Sequence, residues 1–405
     1  MSPFEPALRR EPPPDLDVGA EPQLVERLRA EIVSSGPITF ARFMERALYE
    51  PGLGYYRSAE SRPGRAGDFL TAPETHPIFG RAVGRQLDEV WRIVDRPDPF
   101  VVREYGAGSG ALATSVLAGL VADGSGLRDA LRYEPVEVEH RRFAEIEERL
   151  GPGARDIVRQ PSHDPIVGCV LANEVLDALP VHRVVRRGSE LREILVDFRN
   201  GRFVDVEGDP SSSALAERLA TEDVELADGQ RAEICLALGG WIDEAARGLG
   251  TGLLLLIDYG HAAAELYGPK RMAGTLRAYV RHRVHDDVLA NVGRQDLTAH
   301  VDLTAVERAA ARAGLELVGS TTQAEFLVGL GVGDMLESVQ ADPATTLESY
   351  LELRSALGRL LDPAATGAFR VMGFGRGLPR GLELRGFAYR LRRDGLAGPS
   401  RTAPD

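Results

Sequence analysis

Apolar residues recur with a helical period near the start of the chain: Leu24, Val25 and Leu28, then Phe40, Phe43, Met44 and Leu48. Ser34-Ser35-Gly36-Pro37 separates the two groups, so the spacing predicts two helices broken at that turn. From Tyr49 to Pro73 the period is lost in a stretch rich in Gly, Pro and aromatic residues. Ordered loops of that length usually serve a function. A helix is expected over about 78–94, and Pro97 and Pro99 mark a boundary.

Beyond the boundary the pattern changes. Phe100-Val101-Val102 is a short apolar run that enters Gly106-Ala107-Gly108-Ser109-Gly110, followed by a helix-forming run from Ala111 to Leu120. Strands are expected at Leu131–Glu134, Ile166–Ala172 and Leu253–Asp258, with helices at about 136–150 and 241–247. Strands alternating with helices predict a doubly wound α/β sheet. Val181 to Val206 alternates apolar and polar residues around Asn200-Gly201, the signature of an inserted β-hairpin. The last third predicts a strand at Leu315–Val318, a helical block from Phe326 to Leu361, and closing strands after Phe369. The expected organisation is therefore a frayed tail over 1–20 and an N-terminal helical and lid region over 21–97. An α/β core over 98–324 follows, with its β insertion at about 181–232, and then a C-terminal block over 325–405.

Charge narrows the partners. The 405 residues carry 48 Lys and Arg against 61 Asp and Glu, a formal net charge of -13, which disfavours nucleic acid and anionic membranes. Lys270 is the only lysine, so arginine is the default cation here and a single arginine is weak evidence of phosphate binding. Arg277, Arg281, His282, Arg283 and His285 are the only cluster favouring nucleic acid, and they read better as a solvated face. Cys169 and Cys235 both lie in apolar runs, as buried small hydrophobes do. The longest fully apolar run is Leu253 to Ile257, far below the roughly 20 residues of a membrane span. The first twenty residues contain Glu5, Glu11, Asp15 and Asp17, unlike a signal or transit peptide, and a cytoplasmic protein is expected.

The candidate chemistry lies at strand ends. A buried strand running into glycines and then a helix sets backbone amides against a ligand. Gly106, Gly108 and Ala111 satisfy a dinucleotide pattern, whereas Glu104, Gly106, Gly108 and Gly110 satisfy an E-x-G-x-G-x-G pattern, so NAD and S-adenosylmethionine both remain open. Glu134, at the predicted end of the next strand, is placed to accept ribose hydroxyls in either case. Asn173 and Glu174 follow a third strand. Glu174 and Asp177 are three residues apart, so one helical turn would join them as a guanidinium clamp or as a helix cap. Asp258, Tyr259 and His261 follow a fourth strand and are candidate substrate contacts, His261 equally being a structural residue.

Six segments resemble the MidA family of class I S-adenosylmethionine-dependent methyltransferases. They are GPITFARFMERALYEPGLGYY, GDFLTAPETHPIFG, EYGAGSG, ANEVLDALPVHR, IDYGH and DLTAHVDLT, in order across about Gly36 to Val328. Ala107 stands where that family usually has proline. The resemblance implies a Rossmann-like methyltransferase sheet with helices on both faces, S-adenosylmethionine as cofactor, and an arginine of a partner protein as substrate. It implies no nucleic-acid or membrane partner and leaves a homodimer open. Carried over by motif, Gly106, Gly108 and Gly110 cradle the methionine portion, Glu104 contacts its amino-acid group and Glu134 takes the ribose. Asn173, beside the cofactor, and Glu174 look like the active-site rim, and Asp68 and Thr71 belong to a lid. For an arginine substrate, Glu174 is the first choice and Asp177 the second for the catalytic acid that orients the guanidinium and accepts its proton. An NAD-dependent oxidoreductase and a non-catalytic assembly factor are the competing expectations.

Overall fold

The computed structural model describes residues 16–58, 71–139, 141–151 and 157–391. Its centre is a six-stranded sheet: β1 (Phe100–Tyr105), β2 (Leu131–Val136), β3 (Ile166–Asn173), β4 (Leu249–Asp258), β5 (Glu316–Thr322) and β6 (Arg370–Arg376). The spatial order is β5-β6-β4-β3-β1-β2. Strands β1 to β4 are parallel to their neighbours, and β6 runs antiparallel to both β4 and β5. A lone parallel bridge, Tyr133 to Val158, adds the start of a further strand outside β2. The all-parallel dinucleotide order has no such antiparallel strand between β4 and β5.

The unbroken run Leu253–Ile257 follows from burial on both faces. Leu253, Leu255 and Ile257 pack with Phe79, Val83, Leu112 and Val116 of helices Ile78–Ile93 and Ala111–Ala122. Leu254 and Leu256 face the other way, toward Ile242 and Val306 of helices Leu238–Gly248 and Leu303–Arg312.

The structure differs from expectation at β2 and its helix, at the insertion, and after Phe369, where the described residues form one strand, β6, in place of the expected closing strands. Strand β2 continues to Val136, and its helix starts only at Arg141. Pro135 is tolerated because β2 is paired along its length only to β1. The expected hairpin is a three-stranded meander, His182–Arg187, Glu190–Arg199 and Arg202–Gly208. A second two-residue turn, with Gly188 at φ 55°, joins the first two strands, and Asn200-Gly201 joins the last two as expected. Ile38–Thr39 and Arg231–Ile234 extend this sheet to five strands. The N-terminal helices Pro22–Ser35 and Phe40–Tyr49 therefore pack on the insertion, through Leu28, Phe43 and Met44 with Val196 and Phe203. Of the expected tail, residues 1–15 lie outside the described residues. Leu16 is buried, and its carbonyl accepts a hydrogen bond from Asn291 at 2.9 Å.

Candidate active site

After β1 the chain adds β2 on one side and then returns to add β3 on the other, so a crevice opens beyond the carboxyl ends of β1 and β3. A cavity of about 370 Å³ occupies that crevice. The glycine turn forms its floor. Gly106, Gly108 and Gly110 have φ of 68°, 56° and 74°, a region that glycine enters without strain. A Cβ at Gly106 would meet Val175 Cγ2 at 2.8 Å and one at Gly110 would meet Ile146 at 3.1 Å. At Gly108 the nearest atom would be 3.9 Å away, so none of the described residues fills the space that this glycine leaves.

Five carboxylates line the cavity: Glu74, Glu104, Glu137, Glu174 and Glu244. Glu104 is buried beneath the glycines and accepts Tyr133 Oη at 2.7 Å; burial, and less strongly Glu137, push it up to about 8. Glu137 lies just past β2 and accepts the amide of Gly108, with burial again raising its pKa. Glu134, the expected ribose ligand, is elsewhere. It faces Arg103 across the β1–β2 register in a buried pair, with Nε and Nη2 of Arg103 both 2.7 Å from Glu134 Oε2. Strand β2 was expected to end at Glu134 but continues to Val136, and the carboxylate at the cavity is Glu137.

Asn173 and Glu174 lie on the cavity wall at the end of β3. Asn173 Nδ2 donates to Glu174 Oε1 at 3.0 Å, while its buried Oδ1 has no hydrogen-bond partner among the described residues. Glu174 has φ 54°, and burial, followed by the neighbouring Asp177, pushes its carboxyl up to about 8. Residues 174–179 form a turn rather than a helix, so the expected helical pairing of Glu174 with Asp177 is not present. Asp177 sits behind the wall, hydrogen-bonded to the Tyr259 hydroxyl, and burial pushes it up to about 6. Asp258 accepts the amides of Val175, Leu176 and Asp177. His261 pairs with Glu265 at 3.1 Å and Arg271 at 2.8 Å and stacks on His300. Asp258, Tyr259 and His261 do not line the cavity, so the structure does not place them as direct substrate contacts.

The opposite wall comes from the N-terminal region. Thr71 Oγ1 donates to Glu74 at 3.2 Å, Ser109 Oγ donates to the same carboxylate at 3.1 Å, and the Ala72 amide reaches Glu174 at 3.2 Å. Residues 71–75 thus bridge the glycine turn and the end of β3. Asp68 lies outside the described residues. Tyr49 and Tyr56, stacked 5.5 Å apart, complete this side, Tyr49 donating to Ala178 O at 2.9 Å and Tyr56 to Asp296 at 2.7 Å. Neither tyrosine stood out in the sequence, although both lie in the resembling segment that ends in GYY. Trp241 was also missed, because it sits in an ordinary amphipathic helix.

The model of a family of S-adenosyl-L-methionine-dependent methyltransferases matches residues 82–321. The chain belongs to this family. The methyltransferase is 30% identical over 374 residues to the Drosophila melanogaster protein arginine methyltransferase NDUFAF7 homolog, mitochondrial, covering 85% of this chain and 82% of that one. Identity to the human protein arginine methyltransferase NDUFAF7, mitochondrial, is 27%, over 85% of this chain and 81% of that one. A crystal structure from Burkholderia thailandensis bound to S-adenosyl-homocysteine superposes with a TM-score of 0.82 at 34% identity, covering 94% of this chain and 97% of that one. The cofactor of this methyltransferase is S-adenosylmethionine, and its sheet with helices on both faces is that of a class I enzyme. The NAD reading of Gly106, Gly108 and Ala111 falls with the family and with the antiparallel β6. The expectation of a cytoplasmic location is also overturned, because the curated relatives are named as mitochondrial proteins. Among the described residues no helix is long and apolar enough to cross a membrane.

Proposed function

We propose that this methyltransferase modifies an arginine side chain of a partner protein, with Glu174 as the group that orients the guanidinium and takes its proton. The observation that carries the reading is the buried end of β3. There a carboxyl raised to about 8 stands on the cavity wall beside an amide oxygen, Asn173 Oδ1, that has no partner among the described residues. A guanidinium offers five N–H donors in a planar fork and can serve both acceptors at once. The relatives named as protein arginine methyltransferases support the same substrate.

The residues fit the cofactor. Gly106 to Gly110 would hold its methionine portion, with the unfilled space at Gly108 facing it, Glu104 below and Glu137 at the ribose. Thr71 and Glu74 would close over it. Bound there, S-adenosylmethionine supplies a methyl group on a positively charged sulfur, which is already an activated electrophile. The protein has to align a nitrogen lone pair with that methyl and remove a proton. As the nitrogen–carbon bond forms and the carbon–sulfur bond breaks, Glu174 accepts the nitrogen's proton. Its raised pKa lies near working pH, where a general base is most effective. Asp177 acts through Glu174, its charge helping to keep that pKa high.

Two acids on one strand separate binding from folding. Glu137→Ala should weaken S-adenosylmethionine binding by about 1–3 kcal/mol in isothermal titration, the range for charged hydrogen bonds. Glu134→Ala should leave that affinity unchanged but destabilise the protein by about 3–5 kcal/mol in urea, since it strands Arg103 as a buried unpaired charge. The reverse pattern would return the ribose to Glu134. The substrate itself is tested with tritiated S-adenosylmethionine and lysate from cells lacking the protein. After acid hydrolysis the label should appear in dimethylarginine, and label in methyl-lysine would overturn the reading.

A further inference from the structure

We propose that Asp258 is a positioning residue for methyl transfer, holding Glu174 and Asp177 in place through backbone amides without touching the substrate. It sits at the carboxyl end of β4, next to the end of β3. Its Oδ2 collects the amides of Val175 at 3.2 Å, Leu176 at 2.9 Å and Asp177 at 3.4 Å, and its Oδ1 takes the amide of Tyr259 at 2.9 Å. Residues 174–179 are not helical, so these amides have no repeating partner, and in a buried turn each must find an acceptor. One carboxylate serves three in a row.

That arrangement explains the backbone of Glu174. An L residue at φ 54° persists only where its surroundings hold it. Here the Glu174 amide is fixed to Ile257 O at 2.8 Å and the next three amides are fixed to Asp258. Both anchors are consecutive residues of β4. The following residue, Tyr259, holds Asp177 by its hydroxyl and rests against His300 and Phe369, with ring centroids 5.3 and 5.1 Å away. The end of β4 thus fixes one acid through the main chain and the other through a side chain as well.

Charge gives the arrangement a second consequence. Asp258 faces Asp177 and Glu174, and these acids repel one another; burial is the larger influence raising Asp258, and its amide donors oppose it. Glu74 faces Glu174 from the segment 71–75. Arg370, opposite Asp258 on β6, directs its guanidinium to Ser320 Oγ at 3.0 Å.

The test uses the full-length protein, tritiated S-adenosylmethionine and the same lysate acceptor, and it rests on Glu174 being the proton acceptor. Asp258→Asn keeps an acceptor oxygen for the amides and removes the titrating proton. It should leave cofactor affinity within about twofold and restore most of the kcat that Asp258→Ala loses, because the turn stays anchored. A readout without turnover accompanies it. Between about pH 5 and 8 an acid with a raised pKa is protonated in the fold and ionised in the unfolded chain, so rising pH favours unfolding. The thermal midpoint should therefore fall with pH in the parent protein, and fall less in Asp258→Asn. Asp258→Ala, which frees the three amides, should lower kcat at least about 10-fold with cofactor affinity retained. A midpoint whose pH dependence is unchanged in Asp258→Asn overturns the proposal even if Asp258→Ala does not fold, and so does an Asp258→Ala variant with the parent's kcat. Glu174→Gln is measured alongside. Full activity there defeats the proton-acceptor reading itself, whereas a slow Glu174→Gln beside a fully active Asp258→Ala defeats only the positioning role.

Discussion

Replacing Gly108 by valine should abolish S-adenosylmethionine binding in a protein that still folds. The argument rests on two properties of the position. Its φ of 56° costs a branched L residue about 1–3 kcal/mol, which is small against the roughly 5–15 kcal/mol stability of a domain. Among the described residues the added Cβ meets no atom nearer than 3.9 Å, so the core is undisturbed and the new bulk stands in the cavity. Gly106 lacks this separation, because its Cβ would collide with Val175 at 2.8 Å and disturb the end of β3 as well. Isothermal titration measures the loss, and circular dichroism with thermal unfolding checks the fold. Affinity unchanged by Gly108→Val would mean that the glycine turn is not the cradle.

Glu174→Gln should do the opposite: bind cofactor within about threefold of the parent and lose at least about 10²-fold in methyl transfer, the share of a positioned acid–base group. The amide keeps the volume and an oxygen for the Ala72 amide, so segment 71–75 stays in place. It loses the charge that orients a guanidinium and the site that receives a proton. The pH profile adds a second check. Since Glu174 is raised to about 8, it can accept a proton only as it ionises, and kcat/KM of the parent should climb with pH toward that value. The guanidinium stays protonated throughout, so the limb belongs to the enzyme. In Glu174→Gln that limb should vanish. A fully active variant, or one that retains the limb, would remove Glu174 from the reaction.

Much of this site was legible in the sequence because strand ends are punctuated. The glycines after β1 and the Asn173-Glu174 pair after β3 could be placed without coordinates, since an apolar run that stops at a polar or glycine residue marks the rim of the sheet. The errors share one cause. Strand β2 was expected to end at Glu134, and so Glu137, the carboxylate at the cavity, fell in the expected helix. The three-residue spacing of Glu174 and Asp177 suggested a helix where the chain makes a turn held by Asp258, a residue remote in sequence. No local pattern encodes that contact. The same holds for the N-terminal helices, whose apolar faces were legible although their partner, the inserted sheet, was not.

The position of β6 has a consequence for how the enzyme comes into being. The last strand among the described residues enters the interior of the sheet, between β4 and β5, and it lies beyond residues 82–321 where the family model matches. Until residues 370–376 leave the ribosome, β4 has one row of unpaired backbone groups, an exposed edge of the kind that invites wrong partners. The Leu253–Ile257 run lies along that edge, and Asp258 stands at its end. A nascent chain can therefore build the glycine turn long before β6 closes the open edge of β4. Aggregation of chains truncated before Arg370 is the risk that this order of assembly carries.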